Sequence, residues 1–294
     1  MATLRELKGR IGSVASSEKI TGAMKMISSA KMHKSEQALK RLVPYRALIE
    51  DIMGNLLSSD AEFASPLTAV RDVHHMSVVV FGSDEGLCGA YNANIYKQLV
   101  AHIAEVRNEL GSDVTIDVLP VGVKMEKATR KLSLKGVKVV AVPEGICSKS
   151  DGATVKTFLD SLCMDYAQGR VDRVDILCMN FISISRQRLR VTHFMPLSTE
   201  ALAQGLTVAK NRPCLFEPSP EEIFVSIVPM YLLASMQEMF VENRASEQAA
   251  RVMAMQAAND NAKKLLEELR LVYNKLRQQS ITTELLDIVG GQIR

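Results

Sequence analysis

Apolar residues recur at alternating steps of three and four over both ends of the chain. Leu4, Leu7, Ile11 and Val14 do so at the start, and Met255, Ala258, Ala262, Leu265, Leu269, Val272 and Leu276 near the end. That spacing predicts a coiled-coil seam rather than the broader stripe of a helix lying on a core. The first fifty-five residues and the stretch from about Pro220 to Ile288 read as two almost unbroken helices, on the order of 80 Å and 100 Å long. Helices of that length need a partner. The seam is imperfect in sequence. Continuing the first heptad reaches Glu18, Thr21, Lys25 and Ser28, so Ile20, Met24 and Ile27 are expected to take over the stripe. In the last helix the steps Val252, Met255, Ala258 run three and three. A curved, irregular pair is the expectation. Pro229, inside the last helix, predicts a kink or a late helix start.

Between the helices the period changes. Short apolar runs fall at Ser77–Phe81, Val114–Leu119, Val137–Val142, Val174–Phe181 and Arg188–Phe194, with helical patterns at Ala93–Leu110, Val123–Leu132 and Ala153–Gln168. Strand and helix in alternation predict a mostly parallel five-stranded sheet in a Rossmann-like α/β domain. About six residues separate the last two runs, too few for a crossover, so they should form an antiparallel hairpin at one edge. The expected organisation is an N-terminal coiled-coil helix over 1–59, a linker over 60–75 marked by Ser58, Ser59, Asp60, Ser65 and Pro66, an α/β domain over 76–212, and a C-terminal coiled-coil helix over 213–294 that begins after Pro213, Pro218 and Pro220.

Charge alters this picture only locally. Net charge is +3, but residues 1–46 carry ten basic side chains against three acidic ones. Mutual attraction of solvated helix faces explains such a bias, and so does an acidic partner surface. The five cysteines form no CxxC, which fits small buried hydrophobes in a reducing compartment. No run reaches the ~18 consecutive apolar residues of a membrane span, and Glu6 inside the first seam argues against a secretory leader or an acid-poor presequence. Fifteen methionines is a high number, and Met24, Met26, Met32, Met236, Met239, Met253 and Met255 fall on the long helices, as seam filling or as an adaptable outer surface.

Candidate chemistry is sparse. The turn after the first run, Gly82–Gly89 followed by Ala90, Tyr91 and Asn92, is the best place for an active site. Its spacing is neither GxGxxG nor GxxxxGK[ST], and Asp84 and Glu85 stand where a phosphate needs positive charge. Cys88 has no histidine near it in sequence, and the five histidines show no metal-ligand grouping beyond the adjacent His74 and His75. Neither a catalytic site nor a cofactor or metal is expected of this chain.

Four motifs then carry a resemblance: Lys19–Met32 (KITGAMKMISSAKM), Ser83–Gly89 (SDEGLCG), Ala245–Arg251 (ASEQAAR), and the tail from Asn259 through LVYNK and Arg277-Gln278 to SITTEL ending at Leu285. In that order and at those separations the chain resembles, end to end, the γ-subunit family of F-type ATP synthases. The resemblance implies a noncatalytic rotor shaft. Its paired terminal helices would occupy the bore of a hexamer of α and β subunits, and its α/β domain would join the ε subunit and the c-ring. It also implies coupling contacts at Met24 and Lys25 on the first helix and at Arg277, Gln278, Thr282 and Glu284 on the last. Lys25 and Arg277 would meet β carboxylates, and Gln278 and Thr282 would hydrogen-bond. Glu85, Ala90 and Gln279 depart from the family's pattern, as does the short tail after Val289. The lack of a cysteine-pair insert and of a presequence implies a bacterial protein at the cytoplasmic face of the inner membrane, peripheral to it and with no nucleic acid partner. The alternative reading is a dinucleotide-binding α/β enzyme with helical extensions for oligomerisation.

Overall fold

The computed structural model describes residues 3–57, 63–111, 113–198 and 216–291, apart from the side chains of 287 and 289–291. The expected linker residues Ser58, Ser59 and Asp60, as well as Pro213, Cys214 and the end at Arg294, lie outside the described residues. Helix α1 spans Leu4–Leu57, and the last helix, α5, spans Pro220–Gly291. Between them run β1 (His75–Phe81), α2 (Tyr91–Leu110), β2 (Thr115–Val121), α3 (Val123–Thr129), β3 (Val137–Val139), α4 (Gly152–Ala167), β4 (Arg173–Phe181) and β5 (Gln187–Met195). Every predicted element is present. β3 stops three residues short of the predicted Val142.

The strand order is β3-β2-β1-β4-β5; β1, β2, β3 and β4 are parallel, and β5 returns antiparallel to β4 as the expected edge hairpin. β1 is central and buried on both faces, which is why it reads as an apolar run, Val78 to Phe81, with Met76 and the buried Ser77 before it. Met76, Val78 and Val80 pack with Ile95, Leu99 and Ile103 of α2. Val79 and Phe81 face the other way, toward Phe158, Leu159 and Tyr166 of α4 and the helix residues Met53, Leu56, Phe224, Val228, Leu232 and Phe240. Phe81 and Phe240 meet edge to face with centroids 4.7 Å apart.

Two compact units emerge, and their boundary falls within the long helices. Ala30–Ala250 forms the α/β unit, so it includes the second half of α1 and the first of α5; Met1–Ser29 with Arg251–Arg294 forms the other. In the α/β unit Arg46 pairs with Glu238 and Tyr231 hydrogen-bonds Glu50, so the helices run antiparallel there. α5 is apolar and long enough by composition to cross a membrane, yet more than half of that stretch is buried inside the fold.

The late start proposed for α5 at Pro229 is not observed. The helix begins at Pro220, with Ser219 Oγ accepting from Glu222 N at 3.2 Å, and runs on through Pro229. Burial of Phe224, Ile227, Val228 and Leu232 holds both sides of the proline to the same core, outweighing the one lost backbone bond.

A buried charge cluster ties the hairpin to α2. Asp175 accepts from His102 Nε2 and His193 Nδ1, each at 2.9 Å, and from Arg173 at 3.0 Å through two nitrogens. Burial alone would raise its pKa, but these donors hold it well below the usual carboxylate range. Cys88 and Cys178 are buried, and Cys147 and Cys163 half-buried, all as free thiols. Burial pushes the thiols of Cys163 and Cys178 up to about 11.

Candidate coupling surface

The buried face of α1 in the unit of the two chain ends is Leu4, Leu7, Ile11, Val14, Glu18, Thr21, Lys25 and Ser28, all buried or half-buried. The steps are three and four without interruption. The predicted takeover by Ile20, Met24 and Ile27 therefore does not occur. Met24 is half-buried beside the seam, whereas Ile20 and Ile27 are 63% and 51% exposed and Met26 is 68% exposed.

The reason lies on α5. Its own inward positions are Val252, Met255, Asn259, Ala262, Leu266, Leu269, Tyr273, Leu276 and Ser280, again in unbroken steps of three and four. Asn259, 8% exposed, donates through Nδ2 to Glu18 O at 2.6 Å and to Thr21 Oγ1 at 3.2 Å. Gly22 lies alongside, where a Cβ would meet that amide nitrogen at 3.4 Å, an ordinary contact distance. A polar pair thus fixes the phase where the apolar residues look outward. The predicted α5 seam shares Met255, Ala262, Leu269 and Leu276 with the observed one. Ala258, Leu265 and Val272 give way to their neighbours Asn259, Leu266 and Tyr273.

Asn259 opposite Glu18 and Thr21 also sets the level of every other position on this antiparallel pair. Arg277 lies eighteen residues further along α5, about 27 Å, while Lys25 lies about 6 Å from that crossing in the other direction. The six predicted contact residues therefore form two groups, Met24 with Lys25 and Arg277 with Gln278, Thr282 and Glu284, about 33 Å apart. Lys25 is half-buried, and the four on α5 are exposed. Thr282 Oγ1 turns back on Gln278 O at 2.9 Å.

Past roughly residue 275, α5 has outrun the start of α1 at Leu4, and it is a solvated helix whose surface is still apolar. Leu285 is 57% exposed, Leu286 65% and Ile288 61%. Arg277, Ile281, Glu284 and Ile288 follow one another at steps of four, three and four, so charge and hydrocarbon share one face. Exposed apolar surface of this extent on a helix marks a surface that other protein covers.

In the α/β unit, α5 is fastened to the sheet by polar contacts that sequence reasoning missed. Asn243 donates to Gly82 O at 3.1 Å and accepts from the Tyr91 hydroxyl at 2.6 Å. Glu242 accepts from Asn180 at 2.6 Å and from Arg190 at 3.2 Å; burial raises its pKa to about 6 despite Arg190, with Glu238 adding to the rise. Arg46 of α1 bridges Glu50 and Glu238. The Gly82–Gly89 turn, the best candidate for chemistry in sequence, is consumed by this joint. Asn92 receives Ser83 N at 3.1 Å and donates to Ser83 Oγ at 2.8 Å; Asp84 accepts from Ser148 Oγ at 2.6 Å; Glu85 pairs with Lys149 at 2.6 Å. At Gly82 any side chain would collide with Met125. Among the described residues no cluster of His, Cys, Asp and Glu has the geometry of a metal site.

Comparison with known proteins agrees along the full chain. The ATP synthase (ATP-synt) family model matches residues 3–292. The ATP synthase gamma chain of Bacteroides thetaiotaomicron is 37% identical over 305 residues, and that of Phocaeicola vulgatus 36% over 293, each alignment covering 100% of both chains. Among solved structures, a chain of the Euglena gracilis mitochondrial ATP synthase (OSCP/F1/c-ring, rotational state 3) matches with TM-score 0.65 at 19% identity, covering 98% of this chain and 93% of that one. A chain of the Tetrahymena thermophila mitochondrial ATP synthase central stalk and c-ring matches with TM-score 0.57 at 21% identity, covering 81% of this chain and 99% of that one. At these identities the solved structures speak to the fold alone.

Proposed function

Because this chain belongs to the ATP synthase gamma chain family, we propose that it is the noncatalytic central shaft of an F-type ATP synthase, passing rotation between a membrane c-ring and an α/β hexamer. The observation that supports this most directly is the inverted helix pair. Its seam is polar at Glu18, Thr21, Lys25, Ser28 and Asn259, while Ile20, Met26, Ile27, Leu271, Leu286 and Ile288 face outward. Such a pair is completed by a sleeve, which the hexamer bore supplies.

The physics of coupling follows from asymmetry. A shaft with different sides inside a threefold ring offers each of three like subunits a different surface, and so biases each toward a different conformation. Turning the shaft permutes the biases. Moving a two-state subunit from 1:99 to 99:1 takes roughly 5.5 kcal/mol of differential interaction, which calls for several contacts acting together. Met24 and Lys25 would supply one level of contact and Arg277, Gln278, Thr282 and Glu284 a second, with Lys25 and Arg277 set against β carboxylates. The α/β domain would meet the ε subunit and the c-ring. The protein is thus a peripheral part of a membrane complex, and its Bacteroides-type relatives favour the cytoplasmic face of a bacterial inner membrane. The reading as a dinucleotide enzyme finds no support in the Gly82–Gly89 turn, where Asp84 and Glu85 are tied down.

Reconstitution tests this reading. The chain alone should hydrolyse no ATP, and mixed with α and β subunits it should give a stable complex whose ATPase falls on Arg277→Ala with Glu284→Ala. Full activity of the doubly substituted complex would remove the site assignment, and failure to assemble at all would remove the shaft.

A further inference from the structure

Within the α/β unit a concave groove of about 680 Å³ lies between α1 and α5, lined by five cationic side chains and one carboxylate, Glu247. Lys31, Lys34 and Arg41 come from one face of α1 at steps of three and seven, with Ala38 between them. Among the described residues none of these three has a carboxylate within ion-pair distance, whereas the neighbouring Lys40 is paired with Glu36 and Lys149 with Glu85. Arg244 closes the groove from α5. Its guanidinium donates to Ser148 O and Ser150 O, both at 3.1 Å, so backbone carbonyls fix its position without neutralising it. At the floor, Gln248 is 3% exposed and its amide oxygen has no hydrogen-bond partner. That oxygen is an acceptor and asks for a donor, so the cations of the lining, not this amide, would hold an anion.

We propose that this groove binds a short polyphosphate chain, inorganic or carried by a nucleotide. Three or four negative charges within a few ångströms match the charge density of the lining. Carboxylates on an acidic helix stand ~5 to 6 Å apart and match it less closely. The volume lies within the ~300 to 1,000 Å³ usual for small-molecule sites, and a held guanidinium with mobile lysines is the donor set that phosphate groups select. This groove is separate from the six contact residues on the chain ends and does not depend on the shaft reading.

Calorimetric titration of the full-length chain with sodium tripolyphosphate, at about 50 mM salt so that screening stays moderate, is the test. Saturable binding is expected, weakened at least about tenfold by the pair Lys34→Gln and Arg41→Gln, two exposed side chains whose loss should leave the melting curve unchanged. Lys8→Gln, outside the groove, should change nothing. An ATP arm separates the sources: equal affinity for ATP and tripolyphosphate means that only the phosphate chain is read, and tighter ATP binding means that a nucleotide is the ligand. No heat up to about 10 mM tripolyphosphate, or equal affinity in the double variant, would overturn the proposal. So would tighter binding of a polyglutamate peptide, which would give the groove to an acidic polypeptide.

Discussion

Glu242 shows how one side chain's surroundings become a property of the fold. Its carboxyl is buried between β4, β5 and α5, and its pKa stands at about 6 against 4.5 in the open chain. The folded state therefore holds this proton more tightly than the unfolded one. The contribution of Glu242 is most favourable below pH 4.5, declines as pH rises through 6, and is level above that. The full difference is about 2 kcal/mol. Glu242→Gln, fixed in the neutral form, should gain stability relative to the unmodified chain between pH 4.5 and pH 7 by about that amount, as read by urea unfolding at the two pH values. Asp175 works in the opposite sense. Its lowered pKa stabilises the fold above the ordinary carboxylate range and loses that effect as acid reaches it. Neither role was legible in sequence. Glu242 is one of many acids on a helix, and His102, Arg173, Asp175 and His193 share no motif; only the pairing of β4 with β5 and the packing of α2 bring them together.

At the scale of elements, alternation of apolar runs was enough to find all five strands and the hairpin, because a sheet covered on both faces makes its central strands mostly apolar, with Ser77 and Asp175 as buried exceptions. The long helices were equally plain. Their rotation about their own axes was not. Ile20, Met24 and Ile27 look like a seam because hydrophobicity ordinarily faces inward, and in the first helix that rule fails where an outer partner is expected. Leu265 and Leu266, adjacent and identical, could not be told apart until Asn259 fixed the phase. Replacement Asn259→Leu tests this. It should raise the melting temperature of the chain by a few degrees, since a buried polar seam residue costs stability, and should loosen the register that the amide sets. Disulfide trapping between cysteines introduced at Thr21 and Asn259-level neighbours would read the register: one dominant cross-link in the parent and several in the variant. A single cross-link in both would mean that the apolar seam alone fixes the alignment.

For the molecule as a whole, the sites found and missed divide by where their signal resides. The proposed contact residues Met24, Lys25, Arg277, Gln278, Thr282 and Glu284 rest on a resemblance, and the structure sets them at two levels along the helix pair. The fastening of α5 by Asn243, Glu242 and Arg244 was invisible in sequence because its partners are a main-chain oxygen of Gly82, an amide on β4 and two carbonyls of a loop. Polar bonds of this kind hold a helix against sliding and turning, which apolar packing alone does not. The α/β unit thus grips its stretch of α5 at defined points, so force applied to the sheet reaches that helix without slack.

A strict seven-residue period on straight helices is relieved by winding one about the other in a left-handed sense. A rope laid with one hand answers differently to the two directions of twist. Torsion that adds to the lay presses Leu266, Leu269 and Met255 more closely against their neighbours, and torsion against it separates them. The pair formed by the chain ends should therefore be stiffer in one sense of rotation than in the other, and angular fluctuations of a bead tethered to it, recorded while the complex is driven each way, would give the ratio. Equal compliance in both senses would mean that the surrounding subunits, not the two helices, carry the twist.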